Sequence, residues 1–540
     1  MLLDGSGIPD SATAQGYERL ETGEFIAVWT GFLFVRGCIA GNDSVAVLLE
    51  SLRREGAEKA LARPKGSFAL CIFDKRTRDT ICAIDPFGLM RLFVGAGFVS
   101  DDLFASIRRL GKADDHLDIP ALAGFLRFGF YDFWRTFDTR VRFLAGNEIA
   151  MVSPGRDIVF RQKALPDFRA NPHAFDFDAY VRDVRRAIEA RTVSLDLTGG
   201  YDSRLLAACL KNAGIRECAT TGQSGNLDVE IARRVASALK LPHLVSKHDV
   251  SGLEERAWTL VHLTHGQMGM LTYDHIYQFT RERQARGIDL CIVGNGGELW
   301  KDILWLQDFP FLTGPPDFKR LFRTRLEPRA VPDLPLTPSF ARAFAAGRNS
   351  RIEEMREQFG ALPRTMAYDC VYAFRRIPFT SGPSVTAGIR SGLPPFCPLF
   401  DFDGAVASFH KPVRERLFSR WHRETIARYA PEIAKLRTDD GLSARKGLSA
   451  LGDLPFYASN KILRLTQKIV QRLGLPDVRH LSLDDPRTLE MARILGVAQP
   501  AMQRLRTANV LTGDSPTEQF SRALFDRLLT SGMCLAEVSN

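Results

Sequence analysis

Val193-Ser194-Leu195-Asp196-Leu197-Thr198-Gly199-Gly200-Tyr201-Asp202-Ser203-Arg204-Leu205-Leu206-Ala207-Ala208-Cys209-Leu210 decides the fold of this chain. The first five residues read as a buried strand, Thr198-Gly199-Gly200 as a turn, and Tyr201 to Leu210 as a helix. Strand, glycine turn and helix together make an anion site. Without Cβ atoms, Gly199 and Gly200 let backbone N–H groups approach phosphate oxygens, and the helix N-terminus adds the positive end of its dipole. Ser203 offers a hydroxyl donor, and Asp202 offers the oxygen ligands that magnesium prefers. The competing reading is a plain αβ turn, since Asp and Ser also favour helix starts.

Outward from this stretch, the chain from about Phe175 alternates helix, strand and glycine turn, the pattern of a parallel sheet covered on both faces. Nucleotides bind at the carboxyl edge of such sheets. Phe309 to Pro338 is proline-rich and poorly periodic and reads as an insertion, whereas the chain beyond about Leu442 returns to helical periodicity. The first ~165 residues instead alternate short apolar runs with turn signals, as in Phe25-Ile26-Ala27-Val28-Trp29-Thr30-Gly31 and Phe68-Ala69-Leu70-Cys71-Ile72-Phe73-Asp74. Val45 to Arg54 carries Val45, Val47, Leu48, Leu49 and Leu52 at helical spacing, so that region mixes helix with sheet. Asn171-Pro172-His173 reads as the linker between the two.

A chain of 540 residues exceeds one ordinary core, so two large domains with a smaller third are expected. With 45% hydrophobic and 25% charged residues, and no apolar run near the ~20 residues of a membrane span, the composition is that of a soluble protein. The start, Met1-Leu2-Leu3-Asp4-Gly5, lacks a secretory pattern, which predicts a cytoplasmic location. Nine cysteines without a C-x-x-C spacing read as buried, reduced thiols. The net charge of +9 is dispersed, which reads as a solvated surface ahead of a face for an anionic partner, and nucleic acid is not expected as a partner. His410 and His422 lack ligand spacing and read as surface or core histidines.

The loop Leu197-Thr198-Gly199-Gly200-Tyr201-Asp202-Ser203 resembles the pyrophosphate loop, S-G-G-x-D-S, of asparagine synthetases and related ATP-pyrophosphatases. Further segments match that family in order. Thr220-Thr221-Gly222-Gln223 resembles its second-strand end, Asp228 to Leu239 its next helix, and His243 follows at the familiar place. Gly294-Asn295-Gly296-Gly297-Glu298 is similar to its second glycine motif, G-x-G-[SG]-D. The resemblance implies ATP contacts from Leu197, Thr198, Gly199, Gly200, Asp202, Ser203, Thr221, Gly222, Gly294 and Gly296, and a Mg2+ ion shared by Asp202 and Glu298. It implies adenylation of a small-molecule or peptide carboxylate followed by coupling to an amine, in a chain for which a homodimer is compatible.

Pro64-Lys65-Gly66-Ser67-Phe68-Ala69-Leu70 to Asp74, with Ile84-Asp85-Pro86-Phe87-Gly88, resembles the family's glutaminase domain. Working members carry a nucleophilic cysteine after the initiator Met, activated by its own α-amine. Here that residue is Leu2, the nearest thiol in sequence is Cys38, and the F-N-G-E segment appears as Trp29-Thr30-Gly31-Phe32. No glutamine hydrolysis is therefore expected. Lasso peptide cyclases, β-lactam synthetases and asparagine-synthetase-like proteins of polysaccharide clusters share this degenerate arrangement.

The expected fold is thus α/β: an N-terminal Ntn-hydrolase-like α+β sandwich (1–165), an adenine-nucleotide α-hydrolase-like parallel α/β domain (175–445) and a helical C-terminal extension (446–540). Asn295, Tyr273 and Lys435 are the candidate catalytic residues. Asn295 can orient an amine but cannot take its proton, and Tyr273 with Asp274 reads either as an acceptor-side pocket or as a helix start with a buried ring. Lys435, or Lys446, stands in for the late-loop lysine, since the segment resembling R-x-K-x-G is Arg437-Thr438-Asp439-Asp440-Gly441. In the segment resembling G-x-E-x-R-x-P-F-L-D, the acid and the arginine are replaced by Pro394 and Phe396. These departures leave open a catalytically silent ATP-binding scaffold, and a third reading is an ATP-pyrophosphatase acting on RNA.

Overall fold

The computed structural model describes residues 1–4, 7–8, 16–111, 114–131, 134–170, 175–222, 226–308, 312–327, 336–445, short pieces between 452 and 462, 496–512 and 522–539. The linker expected at Asn171-Pro172-His173 and the boundary expected at 446 lie outside the described residues.

Among the described residues, the first region carries ten strands: β1 (Leu2–Leu3), β2 (Glu18–Glu21), β3 (Phe25–Phe34), β4 (Lys65–Asp74), β5 (Thr80–Ile84), β6 (Phe93–Gly95), β7 (Phe98–Ser100), β8 (Arg142–Phe143), β9 (Glu148–Val152) and β10 (Val159–Gln162). They form two antiparallel sheets, ordered β10-β9-β5-β4-β3-β2 and β1-β7-β6-β8. The two-residue period of a strand sorts β3 between two cores. Phe25, Ala27, Trp29 and Leu33 pack with Val45, Leu48, Leu49 and Leu52 of the helix Asn42–Glu55, while Val28, Phe32 and Phe34 join the core shared with the second sheet and the second region. Val47, expected on the apolar face of that helix, is instead 43% exposed.

The second region carries a five-stranded parallel sheet of β11 (Val193–Asp196), β12 (Ile215–Thr221), β13 (His243–Ser246), β14 (Leu290–Ile292) and β15 (Pro395–Phe396). Its order is β13-β12-β11-β14-β15. The chain runs outward from β11 through β12 to β13 and then crosses to β14 on the other side. The loops after β11 and β14 therefore diverge at a topological switch point, where α/β sheets open their binding crevice. β15 brings the degenerate segment into the sheet: Phe396 is 1% exposed, with its ring 4.5 Å from Phe32 and 5.8 Å from Phe34 of β3. A position that the resemblance gives to an arginine thus joins the two regions through aromatic packing.

Of the proline-rich stretch, Phe318–Leu326 is helical and buries Phe318, Leu321 and Phe322, so that part of the expected insertion belongs to the core. Beyond residue 446, the described helices Ala498–Thr507 and Arg522–Ser539 share a buried cluster with Phe104 and Phe125 of the first region. Asp526 accepts from the Leu271 and Thr272 amides (2.8 and 3.0 Å), capping the helix Met270–Ala285. No helix among the described residues is long and apolar enough to cross a membrane.

Candidate nucleotide site at the switch point

Leu197 continues β11 by donating its N–H to the Ala219 carbonyl (2.9 Å), and its own carbonyl accepts from Thr220 Oγ1 (2.6 Å). Thr220 Oγ1 also lies 2.9 Å from His243 Nε2, which places His243 behind the loop and not within it. The turn then closes on the helix that follows. The Thr198 N–H donates to Ser203 Oγ (3.0 Å), the Thr198 and Ser203 hydroxyls are 3.0 Å apart, and Gly200 is the N-cap of the helix Tyr201–Leu210.

The Gly199 N–H donates to Asp228 Oδ1 (2.9 Å), and a Cβ on Gly199 would stand 2.6 Å from that oxygen. A carboxylate therefore already takes the N–H that a phosphate oxygen would take. The late loop covers the same glycine: the Asp439 N–H donates to the Gly199 carbonyl (3.3 Å), and buried Arg204 binds the Leu436 and Arg437 carbonyls (2.5 and 3.0 Å). Burial and the neighbouring charges of Asp440 and Asp228 push the Asp439 carboxyl up.

The loop after β14 packs on this turn without room for side chains. A Cβ on Gly294 would lie 2.8 Å from Ser203 N, and one on Gly297 would lie 2.2 Å from Asp202 Cγ; Gly296 has a φ of 96°. Only glycine lets the two loops meet. The Asp202 charge acts on Glu298 across this contact, and a third charge that the sequence reading missed joins them. Lys301 donates to Asp202 Oδ1 and Oδ2 at 2.9 and 2.7 Å, and fully buried His422 lies 3.0 Å from Asp202 Oδ1. Burial alone would raise the Asp202 carboxyl, but the Lys301 ammonium and His422 hold it well below the usual carboxylate range. Glu298 is pushed up by burial and by the Asp202 charge, and its Oε2 accepts from the Gly296 N–H (3.1 Å).

These residues do not fit a resident divalent cation. Both Asp202 oxygens hold an ammonium and one Glu298 oxygen holds its own loop, and the described residues contain no group of three or more His, Cys, Asp or Glu placed to hold a metal. The depressed Asp202 value has a sign. Its contribution to stability is complete above the unfolded aspartate value of about 4 and is lost as pH falls below it. The melting temperature of the parent protein should therefore fall more steeply than that of Asp202→Asn as pH drops below about 4, and parallel slopes in the two melting series there would contradict the assignment.

The other candidates are dispersed. Thr221 ends β12 exposed, and the Gly222 N–H donates to the Ser246 carbonyl (3.0 Å). Asn295 is exposed between Gly294 and Gly296. Tyr273 is fully buried in the apolar cluster with Leu271, Phe379 and Ala387, so the helix-start alternative describes its surroundings. Asp274 is bound to His248, Arg256 and Gln278. Lys435 is exposed beside the late loop, and Lys446 lies outside the described residues. In the first region, Cys38 is half-buried, and burial with the Asp43 charge raises its thiol. Cys71 is fully buried, and its thiol is raised by its hydrogen bond with Cys82 and by burial. The Met1 amine itself donates to Asp101 Oδ1 (2.5 Å).

Residues 38–109 match a glutamine amidotransferase domain family. The chain is 26% identical over 228 residues to the glutamine-hydrolysing asparagine synthetase 1 of Bacillus subtilis (strain 168), covering 39% of this chain and 35% of that protein. It is 28% identical over 269 residues to a protein named putative glutamine-hydrolysing asparagine synthetase in Mycobacterium tuberculosis (strain ATCC 25618 / H37Rv), covering 45% of this chain and 40% of that one. The matched part thus spans about two fifths or less of the curated relatives. Together these matches support an asparagine synthetase-like family for the chain, of mixed α/β fold.

Proposed function

We propose that the chain is an ATP-dependent carbon–nitrogen ligase that adenylates a carboxylate and couples it to an amine without hydrolysing glutamine. The observation that carries this reading is the meeting of the two glycine loops at the switch point, where Gly294 and Gly297 press on Ser203 and Asp202 at a helix N-terminus. In the proposed reaction a substrate carboxylate oxygen attacks the α-phosphorus of ATP and pyrophosphate leaves. The amine then attacks the acyl carbon, AMP departs with the oxygen of the broken bond, and the amine proton passes to solvent. Exposed Asn295 can orient the amine by hydrogen bonding, and a neutral amide cannot take its proton.

The absence of glutamine hydrolysis is supported by the chemistry around β1. Leu2 and Leu3 carry no nucleophile, and Cys71 is kept as a thiol by its hydrogen bond with Cys82 and by burial, whereas the thiolate is the reactive form. One observation favours a second reading, in which the protein holds the nucleotide without turning it over: Asp439 and Asp228 flank Gly199, where the resemblance gives a lysine to the late loop.

The test is to incubate the protein with ATP, magnesium chloride, and panels of carboxylic acids and amines, following AMP and pyrophosphate. The ligase reading expects both products in equal amounts with at least one acid, and no glutamate from glutamine. Nucleotide binding without pyrophosphate for every acid would favour the second reading, and glutamate release would overturn the claim of a silent first region.

A further inference from the structure

Lys301 follows the turn Gly297–Trp300 and is anchored more firmly than a surface lysine. Its carbonyl accepts from Arg416 Nη2 (2.9 Å), and Arg416 is itself buried against Asp369. The next residue, Asp302, accepts from the Phe418 N–H (2.9 Å). The side chain is 18% exposed and reaches Asp202, the second residue of the helix that opens at the phosphate loop. Asp202 and Glu298 both act on its charge.

From this placement we infer that Lys301 is a tethered cation that takes the place of a protein-held divalent metal between Asp202 and Glu298 and itself faces the polyphosphate. A metal ion would need the Asp202 oxygens that the ammonium already binds. An ammonium has three N–H donors, and two are spent on Asp202, which leaves one to direct at a phosphate oxygen. The helix N-terminus supplies the remaining positive field. The nucleotide half of this inference rests on the function proposed above, whereas exclusion of the metal does not.

Two titrations separate them. In the first, Mn2+ is added to the nucleotide-free protein and free Mn2+ is followed by electron paramagnetic resonance. The parent is expected to show no Mn2+ site that depends on Asp202. Lys301→Met is expected to gain one, lost again in Lys301→Met/Asp202→Asn. A parent site that Asp202→Asn removes would overturn the inference, as would the absence of any site in both Lys301→Met and Lys301→Gln when circular dichroism shows them folded. In the second, a non-hydrolysable ATP analogue is titrated in EDTA and in Mg2+. The parent should bind with similar affinity in both, and Lys301→Met should lose at least about tenfold in EDTA, or ~1.4 kcal/mol. A parent that loses as much in EDTA as the variant overturns the nucleotide half. A parent that binds in neither condition overturns that half together with the proposed function, while the Mn2+ result still decides the metal half.

Discussion

Asp369→Ala is expected to cost about 3–5 kcal/mol of folding stability, the cost of leaving a buried charge without its partner. Asp369 is 2% exposed and accepts from Arg416 Nη1 and Nη2 at 2.5 and 2.9 Å and from Trp305 Nε1 at 3.1 Å. Arg416 is 1% exposed and also holds the Lys301 carbonyl, so its guanidinium ties the helix Arg364–Val371 to the chain that follows the second glycine loop. With the carboxylate gone, the guanidinium, 1% exposed, loses the anion that binds both of its terminal nitrogens. Urea titration should show the midpoint collapsing in Asp369→Ala, with a smaller loss in Asp369→Leu/Arg416→Met, where both charges are removed together. A loss below about 1 kcal/mol in the single variant would mean that the pair is hydrated and worth no more than a surface bridge.

The second large effect is expected at Gly297. In Gly297→Ala the new methyl would stand 2.2 Å from Asp202 Cγ and 2.3 Å from Oδ1, far inside contact distance, so either the loop or the carboxylate must move. Overpacking of this kind costs about 1–3 kcal/mol, and here the displaced group is the partner of Lys301. Thermal unfolding should therefore fall, and affinity for the ATP analogue should fall with it in the protein that remains folded. Retention of parental affinity by the variant would show that Asp202 and the second glycine loop need not be in register for the nucleotide site.

Much of this arrangement is legible in the sequence because backbone rules govern it. The run Val193-Ser194-Leu195 is buried on both faces and reads as an interior parallel strand, and the glycines stand where the two loops leave no room for Cβ atoms. The alternation of β3 is legible for the same reason. What periodicity cannot supply is the partner of a buried charge. Lys301 lies between Glu298 and Asp302 in a stretch that otherwise reads Leu299, Trp300, Ile303, Leu304 and Trp305, and with two acids this near in sequence nothing says that its ammonium reaches Asp202. His422 reads as a histidine without ligand spacing, and its approach to Asp202 depends on a contact across some 220 residues. Tyr273 is ambiguous because a helix start and a pocket wall look alike until the packing of Arg522–Ser539 on its helix is known. Val47 faces water because the apolar face of its helix is narrower than the run of apolar letters.

Whether the turn at Gly199 receives a nucleotide phosphate is decided by calorimetric titration of a non-hydrolysable ATP analogue into the parent protein and Gly199→Ala. The variant methyl would stand 2.6 Å from Asp228 Oδ1, 3.2 Å from Asp439 Cβ and 3.3 Å from Ile231 Cδ1 at the edge of the apolar core, so a thermal melt of the variant accompanies the titration to show that it is folded. The parent is expected to bind in the micromolar range, about −8 kcal/mol, and the folded variant at least about tenfold more weakly. No binding by the parent, or equal binding by the two, would contradict a phosphate site at this turn.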